Sequence, residues 1–577
     1  MDVKRFPEKM GDLPIDFSNP KRTLVSGLFE ENAKVNGSLR RFLTYIPEDL
    51  DYCQPCLVAA IPSAEKAEEY LETSGLKAFA DENKLFLHLA TSEAGGWKQD
   101  GSDADYLNAV YVAIQARDYY ITMQDNIYLC GIGDASFAAH QAARRMASEW
   151  SGLMTFGDLD GDLKAEHSVL RGESDQGEVE LKVMGMAAQL PVWMCMTEKN
   201  ANNESAISYW KEQNHVIGAP LSGEGADEIW MPTPVRILSE VNEEQIAQVR
   251  LAVRETPFTD EQLNAAWSYI HLARRHRGPG KKQLRYFKDP IDCGAVKKTM
   301  DVDGMTRTWY EYVPVACTPD KKWPLVVVFH GRGGTAETFF DLSCVSTVAE
   351  ERHFIAVVPE ASVYQQKPNG LRNVLLWCGI YQDKPIDDVK FIRKLVADVE
   401  SRCPVDKGRV YAMGQSSGGM MSDLLAYTAG DIFAAVAPWS ALRCPSKMYR
   451  EWPACEQHVP TMMIYGDQDF LTAGHGEDPL LPFCLSEELR ATLMEKLNKY
   501  QLDPTNVETW KTEPITWYAF PDKQGVPMVM IGRVDNMVHA NYPEESWISY
   551  DQFLSQFYRG ENGTLYYRGR PVNEADA

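Results

Sequence analysis

Two stretches of this 577-residue chain carry the same succession of apolar runs and turns, and that repetition constrains the fold before any motif is read. Leu57-Val58-Ala59-Ala60-Ile61-Pro62 lines up with Val326-Val327-Val328-Phe329-His330-Gly331, and Ala80 to Phe86 with Ala349 to Ile355, at a constant offset of 269 (Ile61 against His330). Further on, Asp105 aligns with Asp388, and Tyr128 to Ala135 with Tyr411 to Gly418, at an offset of 283 (Tyr128 against Tyr411). Short, uninterrupted apolar runs bounded by turn residues are the signature of strands buried on both faces, as in a parallel sheet covered by helices. The expectation is an α/β protein of two tandem units, each a mostly parallel sheet flanked by helices, covering residues 1–278 and 279–577. Each is long enough to bury its own core. Arg277-Gly278-Pro279-Gly280-Lys281-Lys282 reads as the linker between them.

The second copy carries chemistry. A strand-like run, Arg409 to Met413, breaks at Gly414-Gln415-Ser416-Ser417-Gly418 into a helix-like run that begins Gly419-Met420-Met421. A G-x-S-x-G pentapeptide in that setting lifts the serine hydroxyl out of the sheet on a sharp turn, so Ser416 is the expected nucleophile. Upstream, the strand Pro324 to Phe329 runs into His330-Gly331-Arg332-Gly333-Gly334. A glycine-rich turn there presents backbone N–H groups to a developing oxyanion; Gly331 and Arg332 are expected to build it, together with the N–H of Ser417.

The strand Thr461 to Tyr465 ends in Gly466-Asp467-Gln468-Asp469, where an acid that orients a histidine is expected. Asp469 lies past the turn and is preferred over Asp467, with Asp478 a more distant alternative. After one more strand, Pro527 to Ile531, His539 is the candidate general base; His475 lies in the acid's own loop, too early for that role. Gln415, Trp377 and Trp439, the last two just after predicted strand ends, are expected to line the substrate pocket.

These residues resemble the polyhydroxybutyrate-depolymerase and feruloyl-esterase branch of the α/β-hydrolases. The resemblance covers about residues 300–560 and rests on the stretch His330 to Ser362, on Asp387-Asp388-Val389-Lys390-Phe391-Ile392, on Gly414-Gln415-Ser416-Ser417-Gly418-Gly419, and on His539-Ala540 with nearby Pro543. It implies an α/β-hydrolase-like fold for this half and hydrolysis of carboxylic esters of small molecules, carbohydrates or polyesters; the internal repeat extends that fold to the first half, and a serine with its own base and acid needs no cofactor or metal. Tyr465 stands where the family often has His, Val538 where it has Gly, and the spacing from His539 to Pro543 is one residue longer than usual. A prolyl-oligopeptidase-like peptidase uses the same chain order of residues but normally carries a propeller-type gate. An inert scaffolding protein is the alternative from another class.

The first copy keeps the strands and loses the reactive groups. Ile61-Pro62 replaces His330-Gly331, Gly133 stands at the position of Ser416, Asn200 at that of Asp469, and Pro257 near that of His539. A degenerate unit serving packing, gating or oligomerisation is expected.

A net charge of −24 disfavours nucleic acid as a partner. The N-terminus Met1-Asp2-Val3-Lys4-Arg5-Phe6-Pro7 has no apolar segment and no run approaches a membrane span, so no membrane partner and a cytoplasmic location are expected, or a secreted one if a leader was removed. Cys53-Gln54-Pro55-Cys56 has no second C-x-x-C to complete a zinc set and reads as core thiols; Cys403, Cys444, Cys455 and Cys484 are placed to pair only in an oxidising compartment.

Overall fold

The structure, a computed structural model, describes residues 1–7, 13, 19–115, 117, 119–165, 172–174, 177–181, 188–236, 243–365, 373–381 and 384–572. The chain divides into two compact units, whose principal segments are Arg22–His276 with Lys281–Phe287, and Arg277–Gly280 with Lys288–Ala577. The expected linker is folded: Ala273–Gly278 and Lys281–Tyr286 form a two-stranded sheet around a turn in which Gly280 takes φ +66°.

The second unit is built on a ten-stranded sheet. It opens with the hairpin Val296–Val302/Met305–Tyr312. Six strands then run parallel in the spatial order Ile355–Pro359, Trp323–Phe329, Val405–Gln415, Ala435–Trp439, Thr461–Gly466 and Pro527–Val534. Ile515–Pro521 and Glu508–Thr512 close it antiparallel. The uninterrupted apolar runs are explained by burial on both faces: Leu325 to Phe329 and Val410 to Met413 have no exposed surface. Helix Asp388–Arg402 buries one face and is capped by the Asp387 carboxylate on the Lys390 N–H at 3.0 Å, whereas helix Ser417–Thr428 is buried almost all round.

The first unit repeats this order strand for strand. A hairpin, Gly27–Val35/Ser38–Ile46, leads to six parallel strands, Phe86–Ala90, Cys56–Ala60, Ile127–Ile132, Gly152–Phe156, Val192–Met196 and Val249–Val253, and Ala226–Pro232 and Val216–Gly223 close the sheet antiparallel. One short extra strand, Val3–Lys4, lies outside the hairpin.

One device recurs in both units and moves the sequence alignment by two residues. In the second unit Trp377 donates its indole N–H to the His330 carbonyl at 2.9 Å. The amide of the next residue, Cys378, donates to Asp388 at 2.5 Å, and Asp388 pairs at 2.7 Å with Arg307, whose guanidinium lies 4.0 Å from the Phe391 ring centre. In the first unit Trp97 donates to the Ile61 carbonyl at 2.8 Å and the Lys98 amide to Asp103 at 2.6 Å. Asp103 pairs with Arg40, which lies 3.6 Å from the Tyr106 ring centre. The counterpart of Asp388 is therefore Asp103, not Asp105. Asp105 is instead half-exposed and pairs with Arg145. In each unit this clamp ties the loop after one central strand to the start of a flanking helix: the indole holds the carbonyl of His330 or Ile61, and charge-assisted bonds to the aspartate fix the residue after the tryptophan.

Among the described residues no helix is long and apolar enough to cross a membrane. All twelve cysteines are free thiols; Cys53 and Cys56 are buried, and burial pushes the Cys56 thiol well above its ordinary value.

Candidate active site

Ser416 occupies the break between the strand Val405–Gln415 and the helix Ser417–Thr428, with φ +54° and ψ −117°. A side-chain-bearing residue in that region stores about 1–3 kcal/mol of strain and persists only where its surroundings fix it. They do so here: the Ser416 N–H donates to the Trp439 carbonyl and the Met420 N–H to the Ser416 carbonyl, both at 2.9 Å. The turn also needs bare backbone on either side. A Cβ on Gly414 would lie 2.5 Å, and one on Gly418 2.2 Å, from the Phe329 carbonyl oxygen, closer than real Cβ atoms approach.

The other two members come from neighbouring strand ends. Asp469 is fully buried in the turn after Thr461–Gly466, where its Oδ1 accepts the N–H of Leu471 at 3.0 Å and of Thr472 at 3.1 Å. His539 lies in the loop after Pro527–Val534. Its Nδ1 is 2.9 Å from both Asp469 oxygens and its Nε2 is 2.8 Å from Ser416 Oγ. With the carboxylate ionised, Nδ1 carries the proton and Nε2 is left to accept from the serine.

Asp467, the rejected alternative acid, has a different task. Its carboxylate faces the Met537 N–H at 3.4 Å, its own N–H donates to Val534, and the Gln468 N–H donates to the Met537 carbonyl at 3.0 Å, so the acid's turn grips the histidine's loop. The grip depends on Gly466, since a Cβ there would stand 1.9 Å from the Met537 carbonyl oxygen. Asp478 pairs with Arg490, and His475 is exposed.

The loop His330–Gly334 is organised by His330, which is fully buried. Its Nε2 accepts the Ala361 N–H at 3.0 Å, which places the ring proton on Nδ1, donated to the Gly331 carbonyl at 2.7 Å. Burial favours this neutral form and holds its pKa down to about 4. The Gly333 N–H donates to Leu375 and the Gly334 N–H to Gly331. Ser417 is the first residue of its helix, where an N–H has no carbonyl one turn back to bond.

In the first unit the equivalent loop binds a carboxylate of the same unit. Ser63, at the position of Arg332, donates its backbone N–H at 2.9 Å to the carboxylate of Asp134, the residue at the position of Ser417; the Ser63 hydroxyl bonds the second carboxylate oxygen. Beside it Gly133 has φ +60° and no side chain. Asn200 caps the helix Ala201–Gln213 by accepting the Asn203 N–H at 3.0 Å, and the loop 254–259 contains no histidine.

Two pocket expectations are corrected. Trp377 is 5 % exposed, spends its indole N–H on His330 and packs edge-on against Phe329 at 5.0 Å, so it belongs to the clamp; its twin Trp97 spends its indole N–H in the same way in the unit where Gly133 stands at the position of Ser416. Trp439 has no exposed surface, because its side chain points into the core beneath the sheet and donates to Ser549 Oγ at 2.9 Å. Of the three, Gln415 stands at the site, half-buried, with its carboxamide against Gly331. Sequence reasoning passed over Phe470, which is 54 % exposed with its ring 6.4 Å from the His539 ring.

A parallel sheet with a strained serine at a strand-to-helix turn, hydrogen-bonded to a histidine that is bonded to a buried aspartate, defines the α/β-hydrolase class of site. Known proteins agree with the branch drawn from the residues. No family model matches the sequence. A putative esterase, NocK, from Nocardia uniformis subsp. tsuyamanensis is 30 % identical over 197 residues, which is 33 % of this chain and 51 % of that protein. Feruloyl esterase B of Neurospora crassa is 29 % identical over 140 residues, 23 % of this chain and 43 % of that protein. Poly(3-hydroxyalkanoate) depolymerase C of Paucimonas lemoignei is 29 % identical over 119 residues, 20 % of this chain and 27 % of that protein. The chain spans about half the length, or less, of the curated relatives it matches.

Proposed function

We propose that the second unit is a serine hydrolase of carboxylic esters and that the first is its non-catalytic twin. The observation that carries this reading is the continuous chain Ser416 Oγ, His539 Nε2, His539 Nδ1, Asp469, at 2.8 and 2.9 Å. As Ser416 attacks the ester carbonyl carbon, His539 takes the hydroxyl proton on Nε2, and Asp469 stabilises the imidazolium that forms. The carbonyl oxygen becomes an oxyanion, received by the backbone N–H groups of Arg332 and Ser417 at the turn shaped by Gly331. The Ser63 amide bound to Asp134 supports the first of these donors, because the N–H at the position of Arg332 binds a carboxylate oxygen there. Collapse breaks the bond to the alcohol oxygen, which leaves with the proton from His539. Water then attacks the acyl-serine, again giving its proton to His539, and the acid departs as Ser416 is reprotonated.

The similarity to esterases favours ester over peptide substrates. Among the described residues the first unit is built on a mostly parallel sheet rather than a propeller. The test is a panel of acetyl, butyryl, feruloyl and hydroxybutyryl esters and acetylated xylan, with Ser416→Ala as control. Hydrolysis of at least one class, lost in the control, is expected; no hydrolysis of any, by a folded protein, would sink the reading.

A further inference from the structure

The turn that carries Asp469 continues into two large apolar residues that face water. Phe470 is 54 % and Leu471 47 % exposed. Their exposure is not that of a loose loop. The Leu471 and Thr472 N–H groups are bonded to the Asp469 carboxylate, the Ala473 N–H donates to the Asp469 carbonyl at 2.7 Å, and the Thr472 hydroxyl donates to Ser440 at 2.7 Å. A backbone pinned at four points holds an apolar surface beside the site, where its hydration is unfavourable until something covers it. The Phe470 ring stands at 64° to the His539 ring, centres 6.4 Å apart. The degenerate unit offers a comparison: at the aligned positions it has Ala201 and Asn202, the opening of a helix, with no apolar display.

Which part of an ester would meet this surface follows from the proton's path. His539 must deliver its proton to the alcohol oxygen as it leaves, so the alcohol passes beside the imidazole, while the oxyanion is received by the backbone N–H groups proposed above. Among the described residues, the exposed apolar side chain whose ring lies nearest the imidazole is Phe470. We propose that Phe470 and Leu471 form a subsite for the alcohol portion of the substrate, selecting esters of hydrophobic alkyl or aryl alcohols; this rests on the ester-hydrolase reading above.

The experiment measures kcat/KM for methyl, butyl, hexyl and benzyl acetates, which share an acyl group, and for methyl acetate, butyrate and hexanoate, which share an alcohol. In the wild type the rate constant climbs along the alcohol series. Phe470→Ala and Leu471→Ser each lower the hexyl-to-methyl acetate ratio about tenfold, the scale on which apolar pockets discriminate. Phe470→Leu retains most of that ratio, and the acyl-series ratio moves less than twofold. An alcohol ratio unchanged in both disruptive variants, or a loss falling on the acyl series, overturns the subsite while leaving the esterase reading intact. A wild type that hydrolyses no ester and takes no fluorophosphonate on Ser416 overturns both.

Discussion

Replacing Gly466 by Ala adds one methyl group, removes no reacting atom and still should disable the site. Its Cβ would stand 1.9 Å from the Met537 carbonyl oxygen and 2.4 Å from the carbonyl carbon, and neither is the end of a flexible side chain. Real Cβ atoms essentially never come within 3.0 Å of another heavy atom, so the acid's turn and the histidine's loop must separate by at least roughly 1 Å, and displacements of that size cost about 100-fold in rate. The expected result is a kcat/KM for a simple acetate ester about 100-fold lower, equivalent to about 2.7 kcal/mol of transition-state stabilisation. A stability loss of about 1–3 kcal/mol, the usual cost of overpacking, should accompany it. Steady-state kinetics on the purified variant, with circular dichroism and a urea titration to confirm folding, make the measurement. A folded variant within threefold of wild-type kcat/KM would refute the argument that this backbone contact sets the distance between Asp469 and His539.

Three further outcomes follow from the clamp, the buried histidines and the degenerate unit. Trp377→Phe removes the donor to the His330 carbonyl and is expected to cost about 1–3 kcal/mol in a urea titration while leaving the ranking of acyl chains unchanged; a reordered ranking would restore Trp377 as a pocket wall. Burial holds His330 at about 4, below the about 6.5 of an unfolded chain, so the unfolded state takes up its proton first. The stability from its neutral form is complete above about pH 6.5 and drains as pH falls, by about 3 kcal/mol at pH 4. His88 and His140, buried and held at about 3, add the same sign in the first unit. Urea midpoints of wild type and His330→Asn between pH 7.5 and 4 should therefore converge on acidification, and parallel curves would count against it. Gly133→Ser should acquire no fluorophosphonate adduct, since the Asp134 carboxylate occupies the Ser63 N–H and the loop 254–259 holds no histidine; a second labelled serine would contradict the non-catalytic reading.

The double architecture was legible because parallel strands buried on both faces leave unbroken apolar runs, and those runs fall at nearly constant offsets. Ser416, Asp469 and His539 were legible for a related reason: each follows a recognisable strand, and the fold delivers strand ends to one edge of the sheet. What sequence could not convey is where a side chain points once it leaves the strand. Trp377 and Trp439 sit at strand ends just as pocket residues do, yet one turns back to hold a carbonyl and the other passes beneath the sheet. Phe470 reads as core by composition and is exposed only because the bonds around Asp469 fix its turn. The placing of Asp105 where Asp103 belongs has a similar cause. Loops between matched strands differ in length, and the Arg, Asp and Trp contacts that reveal the true register are made through space.

The most direct test of the account is to treat the intact protein with a fluorophosphonate probe and map every adduct by peptide mass spectrometry, in the wild type and in His539→Ala. One adduct per chain, on Ser416, formed quickly in the wild type and slowed by about 10⁴ or more in the variant, is the predicted result for a serine activated by that histidine. Labelling of a different serine, or of Ser416 at the same rate without His539, would contradict it.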